Sequence, residues 1–351
     1  MNMDNLRVKH FLDEYSQITK SLFKSYIKEK TREAAKVGDI PVHLLEKFAA
    51  IAERGKKIRG ALVVLGYKLA GGEDMPVIYD TSLFIEILHA GVLVHDDIMD
   101  QGDFRRGLPT LHKYFETYGE ETGRSLATCG GDLAFYLSWD KLLKSNFSKD
   151  KLINAGKIYA KYACNVIYGQ TLDLVNTFES DIDQKDILNV FRYKTAEYTG
   201  FLPLLIGATL AGMTDKKKLA ALEEYGLDLG WAFQIQDDIL GLYGSEEKTG
   251  KPVGSDLREG KMTLLVYYVI KNGDSSQRNY LKTILGNKNL KHADVIHAQD
   301  FFKKIGAYEY VVNLGSMYVN KGKKSIPILT DDKEVADTLE SLIIFVMNRI
   351  V

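Results

Sequence analysis

The scarcity of proline, 6 residues in 351, is the feature that most limits what this chain can fold into. Proline inside a helix removes a backbone hydrogen bond and clashes with the preceding turn, so a chain with few prolines can form long helices. Apolar residues recur with the 3.6-residue helical period along nearly the whole sequence, and no convincing strand alternation occurs. No stretch repeats with a period of roughly 20–50 residues. The sequence therefore predicts an all-α protein.

Several predicted helices are longer than ordinary globular helices, yet they lack the heptads of coiled coils. This favours one large helical bundle with a central cavity, because metal and cofactor sites of bundles form between facing helices. No Ser-, Gly- or Pro-rich linker divides the chain, so we expect residues 1–351 to form a single domain. The predicted helices span residues 5–35, 42–53, 58–70, 78–101, 121–145, 150–177, 184–211, 215–241, 261–271, 292–322 and 332–349.

Charge and composition exclude several classes of function. Lys and Arg number 46 against 47 Asp and Glu, so no overall field favours nucleic acid as a partner. The two cysteines, Cys129 and Cys164, lack metal-type spacing and read as reduced core residues of a cytoplasmic protein. The N-terminus lacks the apolar core of a signal peptide. The longest apolar run, residues 201–213, contains Pro203 and is too short for a transmembrane segment.

An apolar helical stretch, residues 86–100, ends in three carboxylates. At 3.6 residues per turn, His89, Asp96 and Asp100 fall on one helix face, with Asp97 roughly a quarter turn away. Like charges at i and i+4 destabilise an isolated helix by about 0.2–0.5 kcal/mol, and a divalent cation would offset this repulsion. Mg²⁺ suits the position, because it is commonly held by one or two carboxylates plus substrate phosphates. A solvated acidic helix end is the alternative.

Cations and polar groups accompany this acidic end. Arg105 and Arg106 follow it directly, and guanidinium groups bind phosphate in a bidentate manner. Lys56 and Arg59 stand at a predicted helix start, where positive charge opposes the helix dipole. An anionic ligand would explain them, although ordinary surface cations remain an alternative.

Polar residues also interrupt two apolar helices in the middle of the chain. Gln170 and Asp173 share a helix face. They could form a hydrogen-bonded polar pair in the core, or they could contact and orient a metal ligand. Lys194 and Thr195 lie where a helix break would turn backbone carbonyls toward a cavity.

A second acidic cluster, Asp237 and Asp238, follows an aromatic-rich helical run. Adjacent aspartates on a buried helix are uncommon unless they are paired or bound to metal. The glycine-rich basic loop after it, within residues 244–261, has the composition of a lid that brings Lys251 and Lys261 over phosphates. A charged surface loop is the alternative.

Acidic and basic groups in this order resemble the trans-polyprenyl (isoprenyl) diphosphate synthases over about residues 50–270. Residues 89–110 are similar to the first aspartate-rich motif of that family, and residues 233–238 are similar to the second. Residues 169–173, 194–195 and 250–261 stand where the family has its other polar motifs. The resemblance implies the all-α isoprenoid synthase fold, a homodimer, and head-to-tail condensation of isopentenyl diphosphate with an allylic diphosphate.

The resemblance also implies three Mg²⁺ ions per active site and a role for each matching residue. Asp96 and Asp100 would hold metal from one side and Asp237 from the other, supported by Asp97 and Asp238. The isopentenyl diphosphate would be held by Lys56, Arg59, His89 and Arg106. The allylic diphosphate would be held by Arg105, Lys194, Lys251 and Lys261. The reacting centre would be lined by Gln170, Asp173, Thr195 and Gln234.

Two positions depart from the family pattern, and three others bear on product length. Gly241 stands where a third aspartate is expected, and Gly60 stands where proline usually follows the arginine. Short-product members carry an aromatic floor at the position of Gly91, and Leu88 and Val92 lie two turns and one turn before Asp96. Without that floor we expect a product of C20 or longer, such as geranylgeranyl diphosphate. The next barrier would come from Phe135, Tyr136 or Trp139.

Two other functions use similar residues. A class I terpene cyclase also combines an aspartate cluster with Mg²⁺, but the cations of the predicted isopentenyl site exceed what a one-substrate cyclase needs. A non-catalytic subunit that regulates an active synthase is the other alternative.

Overall fold

The computed structural model describes residues 3–176, 183–245 and 252–348. Within these ranges the chain is almost entirely helical, which confirms the predicted all-α class. The first ten helices are α1 Met3–Ala34, α2 Asp39–Ala52, α3 Ile58–Leu69, α4 Met75–Met99, α5 Leu111–Tyr114, α6 Glu120–Leu143, α7 Lys149–Asn176, α8 Gln184–Val190, α9 Leu202–Ala211 and α10 Lys216–Tyr243. The others are α11 Ser255–Glu259, α12 Leu264–Asn272, α13 Ser275–Ile284, α14 His292–Lys304, α15 Ala307–Leu329 and α16 Lys333–Met347.

Two short strands, one 3₁₀ turn and one π-helix are also present in the described chain. Strands β1, Phe104–Arg105, and β2, Leu108–Pro109, form an antiparallel hairpin between α4 and α5. A 3₁₀ turn covers Glu116–Tyr118. Residues Phe191–Phe201, between α8 and α9, form a π-helix, which we call the π segment.

The structure corrects two helix predictions. The predicted helix 292–322 is divided at Gly306, whose backbone φ of 81° is left-handed and ends the helical path. The second part then continues to Leu329 in spite of Pro327. The helix break considered after Lys194 does not occur either, because residues 184–211 are helical throughout, as predicted, and pass through the π segment.

The chain groups into two compact units. We call residues 9–157 with 206–213 the N-unit, and residues 1–8, 158–205 and 214–351 the C-unit. In the N-unit, α4 packs against α3 and α6, and the Ser138 hydroxyl donates to the Phe84 carbonyl at 2.7 Å. In the C-unit, α10 packs against α15 and the π segment. The single domain expected from the sequence stays a prediction.

Helix α4 is long and apolar. By length and composition it is the one helix among the described residues that could cross a membrane, but 67% of that window is buried inside the protein. Its burial is typical of a core helix. Its start is capped by Asp74, whose carboxylate accepts from the Val77 amide at 3.3 Å.

The cysteine prediction was wrong in one respect. Both thiols are free, as expected, but Cys129 and Cys164 are exposed rather than buried in the core. Each lies on the outer face of a half-buried helix, and helical period alone does not tell which face is outward.

A buried carboxylate in the C-unit should make stability depend on pH. Asp228 on α10 is fully buried, its Oδ1 lies 3.4 Å from Lys321 Nζ, and burial raises its pKa from 3.8 to about 6. Because the folded state binds the proton more tightly, this group lowers stability as pH rises from about 4 to 6 and has no further effect above. The difference between the unfolded and folded pKa values of Asp228 corresponds to about 3 kcal/mol in the free energy of unfolding.

We therefore expect Asp228→Asn to remove this decline, so that the Tm of the variant relative to the wild type is higher at pH 7 than at pH 4. Thermal unfolding between pH 4 and 7, with the exposed Asp331→Asn variant as control, checks the effect. Equal pH slopes in the wild type and in Asp228→Asn would contradict it.

Candidate active site

The acidic end of α4 is held by the hairpin that follows it. Arg106 and Gly107 form its two-residue turn, and both have positive φ, 54° and 74°, as a type I′ turn requires. The turn brings Arg105 back so that its Nε donates to Asp97 Oδ1 at 2.8 Å, while its Nη2 also contacts Asp97 and lies 3.5 Å from Asp96 Oδ2. Asp97 thus anchors Arg105 beside Asp96.

Charge favours this arrangement. Burial lowers the pKa of the Arg105 guanidinium, but the carboxylates around it outweigh burial and raise the pKa above its ordinary value. Those carboxylates are Asp97, Asp96 and Asp100. Asp100 caps the C-terminus of α4 rather than lying inside the helix as predicted.

The hairpin is also tied to the loop before α3. The Arg54 guanidinium donates to the Arg106 carbonyl at 2.8 Å, and the Arg106 guanidinium donates to the Arg54 carbonyl in return. A Cβ at Gly55 would lie 2.5 Å from the guanidinium carbon of Arg106, so the close contact requires glycine. Lys56 comes directly after this contact, and Arg59 lies in the first turn of α3.

His89, on α4, lies among these cations. Burial lowers the pKa of its imidazole well below 6.5, and repulsion from four cations lowers it further. In order of effect they are Arg59, Arg106, Lys57 and Arg105. The imidazole is therefore neutral at physiological pH, and the positive charge near it comes from these four side chains. Such a concentration of positive charge suits a multiply charged anion.

Glu86 organises this cluster, and sequence analysis gave it no role. It is 7% exposed, its Oε1 accepts from the Gly60 amide at 2.7 Å, and its Oε2 lies 3.8 Å from Lys57 Nζ. A proline at position 60 could not make this bond, because proline has no amide hydrogen. A side chain at position 60 would also meet Tyr15. The signal that could have identified Glu86 is a carboxylate within an otherwise apolar run, one turn before His89.

In the C-unit, the π segment is in contact with backbone on two helices. A Cβ at Gly169 of α7 would lie 2.7 Å from the Lys194 Cα, and one at Gly230 of α10 would lie 2.5 Å from the Ala196 carbonyl oxygen. In each case a residue predicted to line the reacting centre follows four residues later on the same helix face. Asp173 follows Gly169 and accepts from Lys194 Nζ at 2.5 Å.

On the α10 side, the corresponding residue is Gln234. Its Oε1 accepts from the Thr195 hydroxyl at 2.7 Å, and its Nε2 donates to Asp238 Oδ1 at 2.8 Å. These two bonds fix the orientation of the amide, with its oxygen toward the π segment. Asp173 and Gln234 therefore contact the π segment directly, through Lys194 and Thr195, and Gln234 links the segment to Asp238 of the second acidic cluster.

A buried carboxylate that sequence analysis missed also holds the π segment. Glu197 is 5% exposed, its Oε2 accepts from Asn165 Nδ2 at 2.6 Å, and its Oε1 accepts from Arg192 Nε at 2.9 Å. π-Helical turns are rare and frequently mark functional sites, because they change which backbone groups are hydrogen-bonded. No spacing rule in the sequence distinguishes a π turn from an α turn.

Asp238 carries the strongest sign that this region suits a cation. It is 6% exposed, and its Oδ2 is buried with no hydrogen-bond partner. Burial raises its pKa well above 3.8, and the Asp256 carboxylate raises it further, whereas the bond from Gln234 lowers it. Asp237 adds to the same negative charge.

The other predicted site residues are Gln170, Lys261 and Lys251. Gln170 is half-buried on α7, and Lys261 Nζ lies 2.7 Å from the Glu259 carboxylate. Lys251 lies outside the described residues. Across the described ranges, no three carboxylate, imidazole or thiolate groups are grouped as a complete metal site. Metal binding by the acidic clusters stays a prediction, since substrate phosphates supply part of such a coordination shell.

Of the chain-length positions, Gly91 lies against a neighbouring helix. A Cβ there would be 2.8 Å from Ala134 Cβ and 3.0 Å from the Gly131 carbonyl oxygen, so Gly91 allows α4 and α6 to pack closely. Leu88 is 3% exposed and Val92 is half-buried. Three residues of α6 are the candidates for the next barrier to growth of the product chain. Phe135 packs on His95, Trp139 is half-buried and Tyr136 is 74% exposed.

Known proteins resemble the chain along nearly its whole length. The family model described as Polyprenyl synthetase matches residues 42–302. A geranylgeranyl diphosphate synthase of Sulfolobus acidocaldarius is 30% identical over 343 residues, covering 97% of this chain and 98% of that protein. A short chain isoprenyl diphosphate synthase of Methanocaldococcus jannaschii is 34% identical, covering 84% and 86%.

A solved structure is similar as well. Geranylgeranyl pyrophosphate synthase from Corynebacterium glutamicum, complexed with isoprenyl diphosphate and magnesium, superimposes with a TM-score of 0.90. It is 28% identical, and the match covers 96% of this chain and 99% of that one.

Proposed function

Because the chain belongs to the polyprenyl synthetase family, we propose that it condenses isopentenyl diphosphate head-to-tail with an allylic diphosphate to an all-trans product of C20 or longer. The family resemblance seen in the motifs is thereby confirmed, and the enzyme class is that of trans-polyprenyl diphosphate synthases. The observation that carries the proposal is the group of Arg59, Arg106 and Lys57 around His89, next to Arg105, which also acts on His89 but is paired with Asp97. A second group of cations supports two diphosphate substrates, and a one-substrate cyclase is not favoured.

Mg²⁺ fits the donor set of this chain. Carboxylate oxygens are the ligands that Mg²⁺ prefers, and among the described residues the buried Oδ2 of Asp238 has no hydrogen-bond partner, so it could accept a cation or its water shell. We propose three ions, held by Asp96 and Asp100 on one cluster and by Asp237 on the other. When bound, Mg²⁺ stabilises the negative charge that develops on the allylic diphosphate as its C–O bond breaks.

The cations divide between the two substrates. Lys56, Arg59 and Arg106, with neutral His89, are proposed to bind isopentenyl diphosphate. Arg105, Lys194, Lys251 and Lys261 are proposed to bind the allylic diphosphate. Positive charges placed beside the diphosphate before ionisation would favour the departing anion with little reorganisation.

The π segment and α10 are proposed to stabilise the allylic carbocation. The Gln234 carbonyl is held in place by its bond from the Thr195 hydroxyl, and the Thr195 backbone lies in the π-helical stretch. Oxygen dipoles directed at the cation would lower its energy. The double bond of isopentenyl diphosphate then attacks, and the released diphosphate is the proposed acceptor of the proton that is lost.

A single incubation tests this function. Purified protein with Mg²⁺, labelled isopentenyl diphosphate and either dimethylallyl or farnesyl diphosphate should give elongated all-trans diphosphates. Cyclic hydrocarbons would instead support a cyclase. Turnover only after addition of another synthase subunit would support a regulatory role.

Val92 is the better position for testing product length, because an aromatic residue at Gly91 would collide with α6. We expect Val92→Phe, one turn before Asp96, to shorten the main product by one or more isoprene units, while Met99→Phe, on the exposed end of α4, leaves it unchanged. Chromatography of the dephosphorylated products measures the change. A Val92→Phe enzyme with the wild-type product and wild-type Tm would contradict this role.

The proposed homodimer is supported by an apolar stripe on α7. Its exposed residues recur at helical spacing and are Cys164, Ile167, Tyr168, Thr171, Leu172 and Val175. Exposed apolar patches of this kind mark interaction surfaces, and a second copy is the partner that the family resemblance implies. We expect Ile167→Glu with Leu172→Glu to give monomers by light scattering, whereas Val37→Glu, at an 80% exposed site, does not. A variant that stays dimeric would exclude this surface.

We further propose that the enzyme works in the cytoplasm as one synthase domain. Burial of the apolar window of α4 inside the protein supports the first part of this proposal.

A further inference from the structure

The position that lacks the third aspartate of the second cluster is covered by another carboxylate. A Cβ built on Gly241 would collide with Asp256 Oδ2 and would lie 3.2 Å from its Cγ. The Asp256 carboxylate therefore lies where a side chain at position 241 would begin. It comes from α11, fifteen residues later in the chain.

Backbone contacts fix Asp256 in this place. The Gly254 amide donates to the Gly241 carbonyl at 2.8 Å, which attaches the start of α11 to α10. The Lys261 amide donates to the Asp256 carbonyl at 2.9 Å, and Arg258 Nη1 donates to the Val253 carbonyl at 2.8 Å. The position of Asp256 is thus set by the backbone of α10 and of its own loop.

The same carboxylate joins the second acidic cluster. Asp237 and Asp238 lie four and three residues before Gly241, so all three positions share one face of α10. Asp256, Asp238 and Gly241 line one small cavity of about 10 Å³, room for about one water molecule. Asp238, which is 6% exposed, contributes a buried oxygen without a hydrogen-bond partner to this cluster.

We propose that Asp256 replaces the missing aspartate at position 241 as the third carboxylate of the second cluster, and supports a hydrated divalent cation held with a diphosphate. The inference rests on the proposed function. The proposal explains why position 241 is glycine. A carboxylate at position 241 and one at position 256 would compete for the same space and repel each other. Asp256 is a positioning residue, because it acts on the cation through water.

An exchange of the two positions tests the proposal. Mg²⁺ binding would be measured by calorimetry on the full-length protein saturated with inorganic diphosphate, with Tm of the unliganded protein measured alongside. Asp256→Asn should weaken Mg²⁺ binding about 10-fold, as loss of supporting contacts typically does, and should leave the unliganded Tm unchanged. Gly241→Asp alone should also weaken binding.

The double variant Gly241→Asp with Asp256→Ala should restore Mg²⁺ affinity to within about 3-fold of the wild type, because one carboxylate then occupies the shared space. Unchanged affinity in Asp256→Asn would overturn the proposal, and so would a double variant as weak as the two single changes combined. If the wild type itself failed to bind Mg²⁺ with diphosphate, the proposed function would fail as well. The two failures are therefore distinguishable.

Discussion

Asp96→Asn should lower kcat for prenyl transfer by about 10²–10³-fold, with little change in Tm. Loss of one group that stabilises developing charge in the transition state typically has this effect. Asparagine keeps the shape of the side chain but removes the negative charge that would hold Mg²⁺. The fold should tolerate the change because Arg105 keeps its 2.8 Å bond to Asp97, whereas its contact with Asp96 is 3.5 Å long.

The matched control is Asp103→Asn. Asp103 lies in the same connection after α4, but its side chain is 63% exposed and lies 3.3 Å from Lys113 Nζ. We expect its kcat to stay within about twofold of the wild type, because an exposed ion pair contributes little. Steady-state rates over a range of Mg²⁺ concentrations measure both variants. An Asp96→Asn enzyme with normal kcat and normal Mg²⁺ dependence would exclude Asp96 as a metal ligand.

A double variant then asks whether the two acidic clusters act on one substrate. If Asp96 and Asp237 both serve the allylic diphosphate, the combined loss in Asp96→Asn with Asp237→Asn should be smaller than the product of the single losses, since residues that act as a unit are not additive. Multiplicative losses would indicate that the clusters act independently.

The motif positions and the all-α class could be predicted because both depend on local patterns. Side-chain charge and helical period can be read directly from the sequence, whereas the contact of Arg105 with Asp97 and Asp96 depends on the hairpin turn and was not predicted. The role of Gly60 could not be predicted in the same way. Its amide binds Glu86, which is 26 residues away, and only packing of α3 on α4 brings the two together.

The π segment shows a second limit. Residues 184–211 predict a helix, with a break considered after Lys194, and propensity cannot foresee that backbone contacts from Gly169 and Gly230 accompany a wider helical turn there. Likewise Asp256 is fifteen residues from Gly241, and its place above that glycine follows from the bond between Gly254 and Gly241. In each case the sequence does not reveal a contact between chain segments that is made at a glycine. Glycine has no side chain, so it adds nothing to the hydrophobic period from which such contacts could be predicted.

Those glycines should be the most sensitive positions for stability. We expect Gly169→Ala and Gly230→Ala each to destabilise the protein by about 3 kcal/mol, because the new methyl group meets rigid backbone and the helices must separate. Separation would also lengthen the contact between Lys194 and Asp173, or between Thr195 and Gln234, so kcat should fall even well below Tm. Thermal unfolding and rates at low temperature measure the two effects.

Gly156→Ala is the matched control, because Gly156 lies on the same helix as Gly169 but a Cβ there would meet only the Trp139 ring, at 3.1 Å. That side chain can shift, and alanine favours a helix over glycine by up to about 1 kcal/mol, so Tm should change little or rise. If Gly169→Ala and Gly230→Ala proved as stable and active as Gly156→Ala, close backbone approach would not be what positions the π segment. The four-residue spacing between each glycine and a predicted site residue would then not help to position that residue. The orientation of Lys194 and Gln234 would have to come from their side-chain hydrogen bonds alone.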